Sequence, residues 1–323
     1  MTSQEILNIV NDALSSLPYE RRPQSLYEPV KYVLSLGGKR IRPVLMLLGY
    51  QLYRDDVLSI MPQALGLETY HNYTLLHDDL MDNADVRRGN PTVHRKWDPN
   101  TAILSGDSML VLAYQRMADC PADKLPQVIS LFTETALEIG EGQQYDMDFE
   151  TRQDVTEDEY IEMIRLKTSV LLACALKIGA IMADAPQADA ELLYKVGEQA
   201  GLAFQLQDDL LDVYGDPKVF GKANGGDIVC NKKTYMLINA LLRANDAQRK
   251  ELDHWCSQKE FDREEKVAAV TAIYDRLGIK QLAEEKISHF FNASQRHLEQ
   301  VRLPQEKKQP LVDYIAQMMH RDY

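Results

Sequence analysis

Two runs of aspartates share one spacing, since Asp78-Asp79-x-x-Asp82 recurs as Asp208-Asp209-x-x-Asp212. On a helix, the first and last aspartates of each run lie one turn apart, with the second about 100° around the axis. A single acidic run is ordinarily a solvated helix face, but both of these lie within apolar stretches. Crowded carboxylates repel one another unless a cation neutralises them. Mg²⁺ prefers oxygen ligands and shares its coordination sphere with substrate phosphates, so the two runs predict two magnesium-binding walls.

Basic residues cluster at two places in a chain whose net charge is −13. Lys39, Arg40 and Arg42 follow Gly37-Gly38 at the start of an expected helix, where free backbone N–H groups also attract anions. Arg87-Arg88 follows the first aspartate run after a short loop, and adjacent arginines on a loop can point to different sides. Either cluster alone could be a solvated basic edge. Beside a magnesium wall, the two together indicate two polyanionic substrates bound side by side.

Three further polar positions lie on helices expected to hold these charges. His71 is seven residues before Asp78, so a helical wheel returns it to within about 20° of the same face. Gln205 precedes Asp208 by three residues and shares its face. Lys167-Thr168 interrupts a largely apolar helix, where a buried lysine is costly without an anionic partner. A lone helical histidine is more often a packed core residue, but this one falls on the predicted metal face.

The composition narrows the class of protein. The chain has 323 residues, of which 45% are hydrophobic and 26% charged, enough apolar material for a large core. The net negative charge argues against nucleic-acid or anionic-membrane binding. Four widely spaced cysteines favour reduced thiols over a zinc site or disulfides. There is no secretory signal pattern and no apolar run of the ~20 residues that span a bilayer, so a cytoplasmic protein without a transmembrane segment is expected.

Helical signals dominate the chain, and strand signals are almost absent. Ser3 is expected to cap a first helix, and Gly37-Gly38 to end a second that starts near Leu26. Pro43 suits the first turn of a third helix, and residues 83–91 are expected to form a loop with Gly89-Asn90-Pro91 as its turn. Further helices are predicted over residues 62–82, 100–119, 124–148, 157–183, 187–214, 233–245, 247–258, 262–277, 280–299 and 308–320.

The domain organisation is expected to be simple. No linker rich in Pro, Gly or Ser separates parts of the chain, and no short-period repeat is visible. The sequence therefore predicts a single all-α domain over residues 1–323, a large helical bundle whose two aspartate-bearing helices face one central cavity. The part after Arg243 contains no recognisable motif, and we assign it only packing.

The ordered motifs resemble those of the trans-isoprenyl diphosphate synthases, the polyprenyl synthetase family. Its two aspartate-rich motifs are matched by Asp78-Asp79-x-x-Asp82 with Arg87-Arg88-Gly89, and by Gln205-x-x-Asp208-Asp209-x-x-Asp212. Four shorter family elements are matched by residues 38–43, residues 142–146, Lys167-Thr168 and Gly221-Lys222. The matches run from Gly37 to about Tyr235, and so many in the same order are highly specific.

The resemblance implies the isoprenoid synthase fold, an all-α bundle around a deep active-site cavity, assembled as a homodimer. It implies a prenyltransferase that condenses isopentenyl diphosphate head-to-tail (1′-4, trans) with dimethylallyl, geranyl or farnesyl diphosphate. Mg²⁺ is the implied cofactor, with three ions expected. No dedicated base is obvious in the sequence, and the resemblance implies that the released diphosphate removes the proton.

The resemblance also assigns roles to individual residues. Asp78 and Asp82 would bind Mg²⁺ on one wall and Asp208 on the other, with Asp79 and Asp212 supporting them. The residues that hold isopentenyl diphosphate would be Lys39, Arg42, His71 and Arg88. The residues that contact the allylic diphosphate or its metals would be Arg87, Lys167, Gln205, Lys222 and Lys232, with Gln143 and Asp146 lining the metal side. Thr168 and the region of Gln205 would offer a dipole to the allylic cation.

Product length is expected to depend on residues before the first aspartate run. In the family, bulky residues four and five positions before the first aspartate form a floor for the growing chain, and here these are Thr74 and Tyr73. The bulk of Tyr73 resembles a short-chain farnesyl or geranylgeranyl diphosphate synthase (C15–C20). The short spacing within the first motif resembles geranylgeranyl-type or longer-chain enzymes, so a longer-chain polyprenyl diphosphate synthase is the alternative. An ideal wheel turns Tyr73 away from Asp78, and ordinary interhelix packing is the other interpretation of this residue.

Three rival functions fit parts of the sequence. A phosphohydrolase would use His77-Asp78 as a metal-binding dyad, but it leaves the second aspartate run and both basic clusters unexplained. A class I terpene cyclase also ionises diphosphates at aspartate-rich motifs, but it needs no isopentenyl site. A non-catalytic subunit of a heteromeric synthase typically lacks one aspartate motif, whereas this chain has both.

Overall fold

Helices make up nearly all of the regular structure in this computed structural model, which describes residues 1–216 and 224–319. The α-helices of the described residues are α1 (Ser3–Ser15), α2 (Gln24–Ser35), α3 (Ile41–Gln51), α4 (Met61–Met81), α5 (Val93–Lys96), α6 (Pro99–Met117), α7 (Leu125–Thr151), α8 (Glu157–Ile164), α9 (Val170–Met182), α10 (Gln187–Tyr214), α11 (Gly226–Val229), α12 (Tyr235–Arg243), α13 (Asp246–Ser257), α14 (Arg263–Arg276), α15 (Ile279–Gln300) and α16 (Gln305–Met319). A 3₁₀ turn (Val57–Ile60) precedes α4, and a π-helical segment (Arg165–Ser169) joins α8 to α9. The predicted all-α fold is confirmed, and the predicted helices are found with small shifts at their ends.

Local sequence sets the first helix boundaries. Thr2, not the expected Ser3, caps α1: its hydroxyl accepts the Glu5 N–H at 3.2 Å, and the Glu5 carboxylate accepts the Thr2 N–H at 2.7 Å. Ser3 is wrong as the cap because the acidic partner of this reciprocal motif stands three residues after Thr2. After α2, Gly37 and Gly38 have φ of 75° and 130°, so the predicted stop is confirmed at residues that tolerate positive φ.

The segment expected to be a loop before α6 contains a small antiparallel hairpin, β1 (Val86–Arg87) and β2 (Asn90–Pro91). Arg88 and Gly89 form its two-residue turn, with φ of 51° and 74°, values typical of the primed turns that join paired strands. The expected turn, Gly89-Asn90-Pro91, was wrong in its position: Gly89 is a turn residue, but Asn90 and Pro91 form β2. The strands were not predicted because two residues are too few to show an alternating pattern.

One compact unit, called unit 1 below, comprises Met1–Glu134, Cys174–Tyr194 and Val301–Leu311. Within it, α3 is buried on all sides from Pro43 to Tyr50. Helices α4 and α6 pack closely because two glycines remove side chains from their contact. A Cβ at Gly66 would lie 3.0 Å from the Arg116 Cβ, and one at Gly106 would overlap the His77 ring. This packing fixes α4, the helix that holds the first aspartate run.

The other compact unit, unit 2, comprises the described residues of Thr135–Ala173, Lys195–Gln300 and Val312–Tyr323. Its π-helical segment contains Lys167-Thr168, and such local widening of a helix is frequent at functional sites. A Cβ at Gly142 of α7 would overlap the Lys167 backbone nitrogen, and one at Gly201 of α10 would lie 2.6 Å from Ser169 Cα. The two glycines therefore let α7 and α10 approach the segment closely. The predicted single domain is not tested by this division and stays a prediction.

Candidate active site

The first aspartate run ends α4 and meets an arginine from the hairpin. Arg87 Nε lies 2.7 Å from both carboxylate oxygens of Asp79, and its Nη2 lies 2.7 Å from Asp79 Oδ1 and 3.6 Å from Asp78 Oδ2. The Asp79 side chain is 7% exposed, against 19% for Asp78, and Asp82 is exposed at the helix C-terminus. Asp79 thus fixes Arg87, while Asp78 and Asp82 lie one turn apart on the more open side of the helix.

The closest pairing of opposite charges in this cluster is between Asp79 and Arg87. Burial raises the pKa of Asp79 above its ordinary value, and the ion pair with Arg87 acts in the opposite direction. For Arg87 itself, burial acts to lower the pKa, but the hydrogen bonds that Arg87 donates to Asp79 and the charges of the nearby aspartates together prevail, and the pKa rises. The pair therefore stays ionised as a unit, since each charge compensates the desolvation of the other.

Arg88 points away from its neighbour, as expected for adjacent arginines on a loop. Its Nη1 donates to the Gly37 carbonyl, and its guanidinium lies against Gly38 so closely that a Cβ there would be 2.8 Å from Arg88 Cζ. Burial lowers the pKa of Arg88, and the nearby Arg40 acts in the same direction. Arg87 and Arg88 thus serve two different places: the aspartate run and the glycine turn before α3.

The start of α3 gathers further cations around a histidine. Arg42 Nη1 lies 3.0 Å from His71 Nε2, and because a guanidinium can only donate, the imidazole nitrogen accepts. Burial and the Arg42 charge hold the pKa of His71 well below its usual range, so the ring is neutral at physiological pH. Lys39 is exposed next to these residues in the chain, whereas Arg40 is buried. Unit 1 therefore brings together Arg42, His71 and Arg88 with an excess of positive charge.

Tyr73 and Thr74 occupy the turn of α4 before the aspartates. The Tyr73 ring packs edge-on against His77 at 4.8 Å between centroids and lies 5.5 Å from Tyr70. Tyr70 in turn packs edge-on against Phe132, and the Thr74 hydroxyl bonds the His71 carbonyl at 2.8 Å. Tyr73 is thus part of an aromatic layer on α4, which is compatible with either a floor or ordinary packing.

In unit 2, two lysines converge on one carboxylate of α7. Lys167 Nζ lies 2.6 Å from Asp146 Oδ2, and Lys232 Nζ lies 3.7 Å from the same oxygen. Burial acts to raise the pKa of Asp146, but the charges of Lys232 and Lys167 prevail and the pKa falls below its ordinary value. Gln143 is half-buried three residues earlier on the same helix, and so on the same face. Burying Lys167 without an anionic partner would be costly, and Asp146 is that partner.

A continuous hydrogen-bond chain connects four further residues of unit 2. The Thr168 hydroxyl donates to Gln205 Oε1 at 3.0 Å, and Gln205 Nε2 donates to Asp209 Oδ1 at 3.0 Å. The phenol of Tyr160, which is 1% exposed, donates to Asp209 Oδ2. Asp209 accepts at both ends, so the amide of Gln205 has only one favourable orientation. The Gln205 carbonyl then accepts the hydrogen bond from the Thr168 hydroxyl. The lone pairs of that hydroxyl remain available to another group.

The remaining carboxylates of unit 2 are crowded. Asp212 Oδ2 accepts the Asp227 N–H at 2.9 Å, which ties the end of α10 to the start of α11. Burial raises the pKa of Asp209 to about 7, with the Asp227 charge adding to it. Burial also raises the pKa of Asp227 to about 6, with Lys232 opposing the shift and Asp212 adding to it. Among the described residues of unit 2, Asp209 and Asp227 are therefore two carboxyls whose pKa lies above the ordinary value.

A divalent cation fits this donor chemistry. Across residues 1–216 and 224–319, no three His, Cys, Asp or Glu side chains form a ready metal cluster. The oxygens of Asp78 and Asp82, and of Asp208 in unit 2, are instead sparse carboxylate sets of the kind that bind Mg²⁺ together with waters and substrate phosphates. Burial raises the pKa of Asp209 and Asp227, with neighbouring carboxylate charge adding to each shift, and a nearby cation would favour their ionised forms.

Sequence reasoning found most of these residues but not their partners. The predicted set is divided between the two units, and Lys222 lies outside the described residues. Arg40, Glu68, Tyr160 and Asp227 were not predicted as site residues. Tyr160 could have been found from its spacing, because it stands seven residues, about two helical turns, before Lys167. The rival phosphohydrolase interpretation gains no support from His77, which packs on Tyr73 and has its Nε2 3.3 Å from the Ile103 carbonyl.

An all-α chain with two aspartate-rich helices, one in contact with an arginine and the other in the same compact unit as two lysines that pair with Asp146, has the features of an enzyme that handles diphosphates. Comparison with known proteins agrees: the family model described as "Polyprenyl synthetase" matches residues 23–274. A geranylgeranyl diphosphate synthase of Methanosarcina mazei is 41% identical over 233 residues, covering 72% of each chain. A geranylfarnesyl diphosphate synthase of Natronomonas pharaonis is 39% identical over 72% of this chain and 73% of its own.

Solved structures give the same result. A crystal structure of a geranylgeranyl pyrophosphate synthase has a TM-score of 0.93 at 41% identity, with both chains fully covered. That of the Corynebacterium glutamicum enzyme, complexed with isoprenyl diphosphate and magnesium, has a TM-score of 0.84 at 28% identity, over 99% of this chain and 97% of its own. The chain belongs to the polyprenyl synthetase family, and its activity is that of a prenyltransferase. None of the helices in its described part is both long and apolar enough to cross a membrane.

Proposed function

We propose that the protein condenses isopentenyl diphosphate with an allylic diphosphate, head-to-tail, to a C15–C20 prenyl diphosphate. The observation that supports this most is that two complete aspartate motifs each lie beside a separate group of cations. In unit 1 the cations are arginines around α3 and the hairpin. In unit 2 they are Lys167 and Lys232 around Asp146. Two cation groups suit two diphosphate substrates.

The cation group at the start of α3 is proposed to hold isopentenyl diphosphate. Lys39, Arg42 and Arg88 would supply the charge, and neutral His71 would help to orient Arg42 and the diphosphate. Arg88 is already fixed by Gly37 and Gly38, and Arg42 by His71. Fixed donors favour binding because little side-chain entropy is lost when the ligand arrives.

The remaining cations are proposed to serve the allylic diphosphate, as the family resemblance implies. Arg87, Lys167, Gln205 and Lys232 would contact it or its metals, with Gln143 and Asp146 lining that side. Lys222 keeps the same proposed role on sequence grounds alone. Lys167 lies 2.6 Å from Asp146, and we propose that a phosphate oxygen takes the place of this carboxylate when substrate binds.

The chemistry is proposed to start with breakage of the allylic carbon–oxygen bond, whose electron pair leaves with the diphosphate. Arg87, Lys167 and Lys232 would stabilise the departing charge, and the Thr168 hydroxyl, with its proton directed to Gln205, would present lone pairs to the carbocation. The isopentenyl double bond then forms the new carbon–carbon bond. The released diphosphate takes the proton that restores the alkene.

Mg²⁺ is the proposed cofactor, held by Asp78 and Asp82 in unit 1 and by Asp208 in unit 2, with Asp79 and Asp212 in support. When bound, it would neutralise the charge that develops on the leaving diphosphate. Support comes from the carboxylate chemistry of both units and from the magnesium in the Corynebacterium glutamicum relative. We propose three ions, the number that the resemblance to the family implies.

The product is proposed to be farnesyl or geranylgeranyl diphosphate, because the bulky Tyr73 stands before the first aspartate run with Thr74 beside it. The geranylgeranyl relative supports this length. The geranylfarnesyl relative is named for a longer chain and keeps a longer product as the alternative.

Homodimer formation is proposed from α6, where Leu104 and Val111 are 59% and 68% exposed. They stand seven residues apart on one face of the helix, and exposed apolar faces of this kind mark association surfaces. We also propose that the chain acts as a single domain, because one family match, residues 23–274, includes parts of both units. A Val111→Glu variant should elute as a monomer, whereas an unchanged dimer would place the interface elsewhere.

The activity is tested with purified protein, Mg²⁺ and isopentenyl diphosphate, offered separately with dimethylallyl, geranyl or farnesyl diphosphate. Products are dephosphorylated and sized by chromatography. We expect C15–C20 alcohols and complete loss of product when EDTA replaces Mg²⁺. Diphosphate release without chain growth would contradict the proposal, and activity only with a second protein would identify a subunit of a heteromeric enzyme.

A further inference from the structure

A buried ion pair lies directly beneath the proposed isopentenyl diphosphate site. Arg40 Nη1 lies 2.7 Å from Glu68 Oε1, and both side chains are 2% exposed. Arg40 stands between Lys39, which is exposed, and Arg42, which reaches His71. The middle basic residue of this cluster therefore points into the protein, and it cannot touch a bound diphosphate.

The Arg40 guanidinium joins the start of α3 to three other helices of unit 1. Besides the pair with Glu68 of α4, Arg40 Nη2 donates to the Leu34 carbonyl of α2 at 2.7 Å, and Nε donates to Asn11 Oδ1 of α1 at 3.3 Å. The forked, planar donor set of arginine suits such a junction, which a lysine could not reproduce. The position of residue 40 is thus fixed from three directions.

The Glu68 carboxylate is held in turn by its own helix. Asn72 Nδ2 donates to Glu68 Oε1 at 3.0 Å and to the Glu68 carbonyl at 2.8 Å. Glu68 lies three residues before His71 on α4, so the two side chains are neighbours along one side of the helix. The same stretch of α4 that positions Arg40 therefore also supplies the imidazole that contacts Arg42.

The backbone at Arg40 shows why such support is needed. Arg40 has a φ of 49°, in the left-handed region that non-glycine residues rarely adopt. It follows Gly37 and Gly38, which also have positive φ, and together these residues turn the chain sharply between α2 and α3. This turn sends Lys39 outward and Arg40 inward. It also gives Arg88 its two contacts, the Gly37 carbonyl and the face of Gly38.

We propose that Arg40 and Glu68 are positioning residues for isopentenyl diphosphate, holding the left-handed turn that orients Lys39, Arg42 and Arg88. The inference rests on the proposed function and names the substrate whose binding depends on the pair. A role in stability alone explains the pair poorly, because buried ion pairs are often no more stabilising than apolar side chains of similar size. A positioning role explains why Arg40 has a strained, left-handed backbone. It also explains why Arg40 lies in the sequence between Lys39 and Arg42, two of the proposed phosphate-binding residues.

The test compares the two substrates in steady-state kinetics for Glu68→Gln and Arg40→Lys. We expect the KM for isopentenyl diphosphate to rise at least tenfold, while the KM for the allylic diphosphate and kcat at saturation change less than twofold. Glu191→Gln, which removes a partner of Lys177 elsewhere in unit 1, is the matched control and should leave both KM values unchanged.

A double variant, Arg40→Met with Glu68→Leu, separates positioning from stability. It removes both charges and leaves none buried alone, so its melting temperature should fall less than that of either single apolar variant, although the Leu34 carbonyl and Asn11 lose a donor. The isopentenyl KM should remain high. A wild-type isopentenyl KM in the double variant would overturn the proposal, as would an equal rise in both KM values.

Calorimetric titration with isopentenyl diphosphate alone covers the case in which a variant folds too poorly for kinetics. The Kd of Arg40→Lys should then be at least tenfold above that of the wild type, and an unchanged Kd would overturn the proposal. Failure of the proposed function is a different result, since then the wild-type protein itself makes no condensed product.

Discussion

The two aspartate motifs have the same residue pattern, but the buried second aspartate is stabilised by a different kind of partner in each. In unit 1, Asp79 forms an ion pair with Arg87. In unit 2, Asp209 accepts hydrogen bonds from the neutral donors Tyr160 and Gln205, and burial raises its pKa to about 7. A buried carboxylate can be stabilised by a full opposite charge or by hydrogen bonds that tolerate its protonation.

This difference suggests that the repeated motif has one shared function and one that varies. The first and third aspartates of each run occupy the more accessible positions, which suits metal binding. The second aspartate is buried in both runs and organises its neighbours instead. It fixes Arg87 in unit 1, and it orients the chain from Gln205 to Thr168 in unit 2.

The largest effect is expected where the two motifs are proposed to act alike. Asp78→Ala and Asp208→Ala should each lower kcat by about 10³-fold or more, the scale for losing a main electrostatic contact to a transition state. Circular dichroism should be unchanged, because each variant removes a surface-facing ligand and no core volume. Asp253→Ala, at an exposed carboxylate of α13, is the control and should keep full activity. Near-normal turnover in either motif variant would contradict the assignment of metal ligands.

The next prediction addresses the second aspartates, which are expected to differ. Asp79→Asn leaves the half-buried Arg87 with only the longer ion pair to Asp78, at 3.6 Å. It should lower the free energy of unfolding by about 1.5–3 kcal/mol, the range for hydrogen bonds to charged groups. Asp209→Asn keeps a carbonyl acceptor for the Tyr160 phenol and strands no opposite charge, so a loss below about 1 kcal/mol is expected. Urea unfolding of the two variants in EDTA measures both. Equal losses would show that the two environments are not distinct in the way that the contacts indicate.

The sequence predicted the parts of this comparison that depend on local spacing. The helices of both motifs, the stop at Gly37-Gly38 and the opposed directions of Arg87 and Arg88 follow from short-range patterns, and the family resemblance supplied the activity. The partners of Asp79 and Asp209 are different in kind. Arg87 meets Asp79 through a hairpin whose strands are too short to predict, and Tyr160 meets Asp209 across 49 positions of sequence, so tertiary packing alone decides those pairs.

The roles of the site residues and the single domain stay predictions. The roles of the individual site residues depend on bound ligands, and the single domain on the relation between two units. The cytoplasmic location also stays a prediction. By contrast, the burial of Arg40 could have been anticipated, since three basic residues within four positions, Lys39 to Arg42, cannot all point to one side at the start of a helix.

Tyr160→Phe sharpens the comparison within unit 2. It removes the Tyr160 hydrogen bond that lowers the pKa of Asp209. A protonated Asp209 can donate to the Gln205 carbonyl, so the amide can turn over and the Thr168 hydroxyl loses its fixed direction. We expect kcat to fall about tenfold, somewhat less than one positioned proton-transfer group contributes to catalysis, while both KM values stay within twofold. Tyr274→Phe, a change at another buried tyrosine of unit 2, should leave kcat unchanged. A rise in both KM values with kcat intact would indicate a binding role for Tyr160 and contradict the orientation of Thr168.

The smallest effect on rate is expected for Tyr73 of unit 1, because this residue is proposed to limit the length of the product and to take no part in bond breakage. Tyr73→Ala removes the ring that packs between His77 and Tyr70 and should lengthen the product by one or two prenyl units, with kcat within about threefold. Because Tyr73 lies away from the aspartate face of α4, its loss should affect only where the growing chain stops. Tyr73→Phe retains the ring and should give wild-type products, which shows that bulk and not the hydroxyl is responsible. Unchanged products in Tyr73→Ala would show that another residue forms the floor and that Tyr73 only packs between helices. The next positions to change would then be Tyr70 and Phe132, which belong to the same aromatic layer.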